Sequence, residues 1–259
     1  MQHRARKRFG QNFLTDPSII SRIVDAIDPQ ADQLILEIGP GQAALTQPLA
    51  DSAAELILLE IDRDLSARLG VYFATRENVT VQTGDALKMD FAELTSGRPF
   101  RLVGNLPYNI STPLLFHVLQ WSDLISDMHF MLQKEVVNRM AAVPGGKAWG
   151  KLSLMCQYHC AVTPLFDVPP TAFSPAPKVD SAIVRLAPHP QPPVQISDFS
   201  AFQEVVSRAF SMRRKTLRNS LRNVIDATTM ESAGIDPGAR PETLSLDEFA
   251  RLSETLDKK

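Results

Sequence analysis

Short apolar runs at 34–38, 56–59, 79–81, 102–104 and 128–132 alternate with segments long enough to carry crossover helices, and this rhythm constrains the chain more than any other feature. The runs lack the polar alternation of a strand with one wet face, so each is expected to be buried on both sides. A parallel sheet with helices on both faces is the architecture that allows this. Upstream, Asp16-Pro17 reads as a helix start, with Ile19, Ile20, Ile23, Val24 and Ile27 recurring at helical spacing.

The character changes toward the carboxyl end. Prolines recur through 164–193, 181–186 is a last strand candidate, and 188–193 reads as a stiff linker. Beyond it, Phe199, Phe202, Val205, Val206 and Phe210 recur at helical spacing and Ser245 with Glu248 forms a capping-box pattern, so this part is expected to be wholly helical. A boundary near 190 is expected, giving domains 1–190 and 191–259. No run approaches the roughly 18 apolar residues of a membrane span. The basic opening leads into Phe9-Gly10-Gln11-Asn12 rather than a signal-peptide core, and Cys156 and Cys160 are too few for a disulfide framework. A cytoplasmic protein is expected, free of the membrane.

The first strand gives way to Glu37-Ile38-Gly39-Pro40-Gly41-Gln42-Ala43-Ala44, whose glycines let the backbone turn tightly and approach a ligand. Alone, the loop is equally a structural turn. Polar residues at successive strand ends strengthen the ligand reading. Glu60 ends the second strand, where a carboxylate can accept from both hydroxyls of a ribose, Asp85 follows the third, and Asn105 follows the fourth. In Asn105-Leu106-Pro107-Tyr108 the proline fixes a rigid turn, so the amide and nearby carbonyls can face one small group while the ring stacks on a flat one.

The net charge of −2 hides an uneven distribution. Arg4, Arg6, Lys7 and Arg8 crowd the amino terminus, and 205–223 holds Arg208, Arg213, Arg214, Lys215, Arg218 and Arg222 without an acid. Spacings of three to five let Arg213, Arg214, Lys215, Arg218 and Arg222 share a helix face, and two such clusters on a slightly acidic chain suggest a polyanionic partner. Cys156, His159 and Cys160 lack a nearby fourth ligand, so no metal is expected. His117 and His129 fall within an expected helix and strand and read as packed residues.

Taken together, the acid-preceded glycine loop, the strand-end acids and Asn-Leu-Pro-Tyr resemble the S-adenosylmethionine-dependent adenine-amine methyltransferases. Lys7-Arg8-Phe9-Gly10-Gln11-Asn12-Phe13-Leu14, residues 105–113, and Phe173-Ser174-Pro175-Ala176-Pro177-Lys178-Val179-Asp180-Ser181 resemble more closely the bacterial small-subunit ribosomal RNA adenine dimethyltransferases. The likeness spans nearly the whole chain and includes Arg213-Arg214-Lys215-Thr216.

The resemblance implies a Rossmann-like class I methyltransferase, α/β with a mainly parallel sheet, plus a small all-helical carboxyl-terminal RNA-binding domain. It implies that Asn12, Leu14, Gly39, Gly41, Glu60, Asp85 and Asn105 bind S-adenosylmethionine, that Asn105, Leu106 and Pro107 form the catalytic turn, and that Tyr108 and Phe173 flank the target adenine. The implied partner is 16S ribosomal RNA in an immature small subunit, met by a monomer. A nicotinamide-dependent oxidoreductase would use the same glycine loop but leaves the catalytic turn and basic tail unexplained. A sister enzyme acting on large-subunit RNA and a non-catalytic assembly factor are the remaining alternatives.

Overall fold

The computed structural model describes residues 11–52, 55–212 and 214–256. Arg4, Arg6, Lys7, Arg8, Phe9, Gly10 and Arg213 lie outside the described residues. The chain divides into two units, Met1–Val137 with Ala161–Pro188, and Asn138–Cys160 with His189–Lys259.

In the first unit, β1 (Phe13–Leu14) leads to α1 (Pro17–Ile27), β2 (Leu34–Ile38), α2 (Thr46–Asp51), β3 (Glu55–Glu60), α3 (Arg63–Tyr72), β4 (Val79–Thr83), α4 (Phe91–Thr95), β5 (Phe100–Asn105), α5 (Ser111–Val118) and β6 (Ile125–Gln133). After α6 (Lys134–Met140) and α7 (Lys151–His159), the chain returns through β7 (Cys160–Val168), β8 (Phe173–Ser174) and β9 (Ser181–Pro188). The main sheet has the order β4-β3-β2-β5-β6-β9-β7. Its β4-β3-β2-β5-β6 portion is parallel, as expected, whereas β9 runs antiparallel to β6. β4, at the edge of the sheet, is not buried on both faces as the run at 79–81 suggested, because only one neighbouring strand covers it. A small antiparallel pair joins β1 to β8.

Asp16 caps α1 by accepting from the backbone N–H of Ser18 and Ile19, and Ile19, Ile23 and Ile27 turn one stripe of this helix into the core. That core gathers Ile35, Leu56, Leu58 and Val103 from the sheet with Leu49 and Leu69 from the helices over it. At the amino-terminal end of β5, buried Arg101 makes a bidentate pair with Asp127 of β6, at 2.7 and 3.0 Å. His129 is buried in the same strand, and burial pushes its pKa down to about 4, so it is a neutral packed ring at physiological pH.

β7 departs from the expectation of a proline-rich connection through this part of the chain. It closes the edge of the sheet, the position in which a strand tolerates a proline such as Pro164, and much of it is exposed.

The second unit carries α8 (Phe199–Ala209), α9 (Leu217–Ser220), α10 (Ala227–Ser232) and α11 (Leu246–Ser253). Ser245 and Glu248 form the expected capping box. This unit also takes residues 138–160, which lie inside the 1–190 range expected for the first domain. The Trp149 indole N–H donates to the Leu244 carbonyl at 2.8 Å, Lys151 Nζ donates to Ser207 Oγ at 2.8 Å, and Tyr158 stacks on Phe199. The expectation that the basic run shares one helix face is corrected. α8 ends at Ala209, Arg214 and Lys215 lie in the following turn and connection, and α9 is only four residues long. Among the described residues no helix is long and apolar enough to cross a membrane.

Candidate active site

A cavity of about 330 Å³ opens at the carboxyl ends of β2, β3 and β5, within the first unit. It falls within the range of small-ligand pockets. Its walls come from the glycine loop, the ends of β3 and β5, the turn after β4, and residues 11–14.

Close approach of the backbones creates this edge. Gly104 pairs with Ile38, and a Cβ on Gly104 would lie 2.7 Å from the Ile38 carbonyl oxygen, so no larger residue keeps β5 this near to β2. Immediately after these two positions come Asn105 and Gly39. Gly39 and Gly41 both take positive φ, at 67° and 57°, which glycine adopts without the Cβ penalty. A Cβ on Gly41 would also press on the Phe13 ring at 3.2 Å.

Glu60 ends β3 and is only 3% exposed. Its two oxygens accept from the backbone N–H groups of Gly41, at 3.2 Å, and Asp62, at 2.9 Å. Burial raises its pKa, while those N–H groups favour the charged form. A carboxylate offers about four acceptor sites in all, a donor-seeking set that suits the adjacent hydroxyls of a ribose. Asp85 fixes its own loop by accepting from the Leu87 N–H through Oδ1 at 3.0 Å. A buried carboxylate, a glycine cradle and a second acid on one wall fit an adenosine-bearing cofactor.

Asn105 lines the same cavity, and its side-chain nitrogen donates to the Asn12 carbonyl at 3.0 Å. That bond assigns Nδ2 to the protein and leaves Oδ1 as an acceptor. The Leu106 N–H donates to the Met131 carbonyl at 3.2 Å and pins the turn to β6. Tyr108 is held at both ends: Ser111 Oγ donates to its carbonyl at 3.0 Å, and its hydroxyl lies 2.6 Å from Ser181 Oγ.

The structure thus brings Asn12, Leu14, Gly39, Gly41, Glu60, Asp85, Asn105, Leu106, Pro107 and Tyr108 to one cavity. Phe173 is not among its lining residues. It is 5% exposed, opposes Leu14 across the β1–β8 pair, and packs in the apolar core with Val168, Ala172 and Ile183. Arg214, Lys215, Arg218 and Arg222 are exposed in the second unit.

Glu37, Phe13, Ile61 and Leu87 also line the cavity and were not among the expected binding residues. Glu37 is buried, accepts from Thr46 Oγ1 at 2.6 Å, and is pushed by burial up to a pKa of about 7. Its place two residues before Gly39 was the available signal. Ile61 lies one residue past the end of β3 and remains 45% exposed, where periodicity carries no information.

A family model described as ribosomal RNA adenine dimethylase matches residues 2–258. A relative from Chromohalobacter salexigens, named ribosomal RNA small subunit methyltransferase A, is 55% identical over 256 residues, covering 97% of this chain and 91% of its own. Among solved structures, a dimethyladenosine transferase from Plasmodium falciparum is similar with a TM-score of 0.77 and 26% identity, covering 93% of this chain and 95% of the other. The 23S rRNA methyltransferase ErmE is similar with a TM-score of 0.73 and 27% identity, covering 95% and 100%.

Proposed function

Because the chain belongs to the ribosomal RNA adenine dimethylase family, we propose that it is the S-adenosylmethionine-dependent enzyme that converts adenines of small-subunit (16S) ribosomal RNA to dimethyladenosine. The observation that carries this reading is that Asn105, anchored through Nδ2 to Asn12, lines the same cavity as the buried carboxylate of Glu60. The identity of 55% to a small-subunit enzyme, against 27% to a 23S enzyme, favours the small subunit over the large. A protein that only bound RNA would have no use for a buried ribose-binding carboxylate.

Glu60 would hold the ribose hydroxyls of S-adenosylmethionine, Asp85 its adenine amine, and Gly39 and Gly41 the close backbone approach. Bound there, S-adenosylmethionine supplies an electrophilic methyl group. The remaining work falls to the catalytic turn. The exocyclic amine of adenine is a poor nucleophile because its lone pair is delocalised into the ring. Asn105 Oδ1 and the Leu106 carbonyl each accept one amine hydrogen, which draws the nitrogen toward tetrahedral geometry and frees the lone pair.

Pro107 keeps the two acceptors in register, so their alignment costs nothing at the moment of reaction, and such orientation supplies up to ~7–11 kcal/mol of a barrier. The methylated amine is acidic enough to lose its proton to water. Tyr108 offers its ring to the unstacked base, which offsets part of the cost of extruding it, at ~1–3 kcal/mol per stacked base.

The same reading assigns Arg214, Lys215, Arg218 and Arg222 to RNA phosphates, an immature small subunit as the partner, and a monomer acting in the cytoplasm. Incubation with methyl-labelled S-adenosylmethionine and unmodified small subunits, followed by mapping of the label, tests it. Label confined to small-subunit adenines as dimethyladenosine is the expected result, and label on large-subunit RNA alone, or none, would refute it.

A further inference from the structure

Because β9 runs antiparallel to β6, it begins at the edge of the sheet where β5 and β6 end. Ser181, its first residue, lies opposite Gln133, and two residues back along β6 Met131 lies opposite Asn105. The Ser181 side chain is thereby carried to the catalytic edge from a segment distant in sequence. It is fully buried, and its hydroxyl lies 2.6 Å from that of Tyr108. Tyr108 is half-buried and lines the cavity, and its backbone carbonyl is already held by Ser111. The second tether, at the tip of the ring, restrains the swing of the side chain about its Cα–Cβ bond, which a hold on the backbone carbonyl leaves free.

We propose that Ser181 is a positioning residue for catalysis, holding the Tyr108 ring at the place that receives the target adenine. The inference rests on the assignment of Tyr108 to the base. Pinning of the phenol oxygen leaves the ring face, rather than the hydroxyl, as the surface presented to a ligand. A stacked base inherits the orientation of the ring beneath it, so a looser ring misplaces the amine relative to Asn105 Oδ1 and lowers the rate without touching the cofactor wall.

The test is single-turnover methyl transfer on unmodified small subunits at saturating S-adenosylmethionine, for Ser181→Ala, Tyr108→Phe and the double variant, with cofactor affinity measured in parallel by calorimetry. Each single change should slow transfer by roughly twofold to tenfold, the worth of one neutral hydrogen bond, and cofactor affinity should stay at the wild-type value. The double variant should be no slower than Tyr108→Phe, because both changes remove the same bond. Ser181→Thr, which keeps a hydroxyl, should recover the rate.

Wild-type transfer by Ser181→Ala, or losses that multiply in the double variant, would overturn the proposal. Should Ser181→Ala fail to fold, wild-type transfer by Tyr108→Phe would overturn it equally. A wild-type enzyme that leaves small-subunit adenines unmethylated would instead refute the function on which the inference stands.

Discussion

The Asn105 side-chain nitrogen donates to the backbone carbonyl of Asn12, 93 residues earlier, at 3.0 Å. One arm of the amide proposed to act on the substrate is thus spent on fixing the other. Asn105→Ala should reduce single-turnover transfer by at least about a hundredfold, as loss of a preorganised polar group does in other active sites. RNA affinity should be nearly unchanged. Asn105→Asp, which cannot donate to Asn12 when ionised, should be impaired as well, although it retains an oxygen toward the substrate. Rapid-quench assays at saturating cofactor would check both.

Glu60→Ala should weaken cofactor binding by ~1.5–3 kcal/mol, the worth of charge-assisted hydrogen bonds to a ligand. The change also strips acceptors from the Gly41 and Asp62 N–H groups, so the melting temperature should fall with it. Glu60→Gln keeps one acceptor oxygen and should lie between. Calorimetry on folded variants decides the point, and wild-type affinity in Glu60→Ala would remove this residue from the site.

The pH dependence of stability should carry the mark of Glu37. Its folded-state pKa of about 7 lies above the ordinary 4.5, so its contribution to stability is fully present below 4.5 and is lost as pH rises through 7. Glu37→Gln keeps an acceptor for Thr46 Oγ1 and removes the ionisation. The variant and the wild type should melt alike near about pH 5, and the variant should be the more stable near about pH 8. Melting curves of the cofactor-free protein across that range would show the divergence.

Phe173→Ala should cost about 3–5 kcal/mol of stability, because the ring is buried among apolar residues and its loss leaves a cavity. Phe173→Leu should recover most of that. Thermal unfolding measures both, and an unchanged melting temperature in Phe173→Ala would remove this ring from the load carried by the core.

Replacement of Arg214 and Lys215 with Ser should weaken binding to small subunits and reduce the slope of log affinity against log salt by ~0.7–0.9 for each phosphate that is no longer neutralised. These two residues lie between α8 and α9, whereas Arg218 is within α9 and Arg222 follows it. The two pairs should therefore make separable contributions. Cofactor affinity should not change in either case. A wild-type salt slope in all four replacements would mark these residues as a solvated surface.

Much of the sheet was legible because β2, β3, β5 and β6 are buried on both faces and read as unbroken apolar runs. The positions of Glu60 and Asn105 were legible for the same reason, since the ends of such runs mark one edge, whereas Asp85 follows the half-exposed β4 and was placed only by the order of the strands. β7 was not, because an exposed edge strand containing Pro164 has no apolar continuity to read. The helix face proposed for the basic run failed because spacing alone does not reveal where a helix stops, and α8 ends before Arg214. The burial of Phe173 was not legible, because it follows from the β1–β8 pairing, which joins segments far apart in the chain. The Tyr108–Ser181 pair was hidden likewise, because it depends on the reversed direction of β9.

The discontinuous helical unit limits how parts of this protein can be exchanged between relatives. Since it is assembled from 138–160 and 189–259, no single cut in the chain releases it whole. A chimaera that imported only a foreign tail would leave the native Trp149 and Lys151 facing substitutes for Leu244 and Ser207. A successful graft of this unit must carry both segments at once, so it moves as a pair rather than as a cassette.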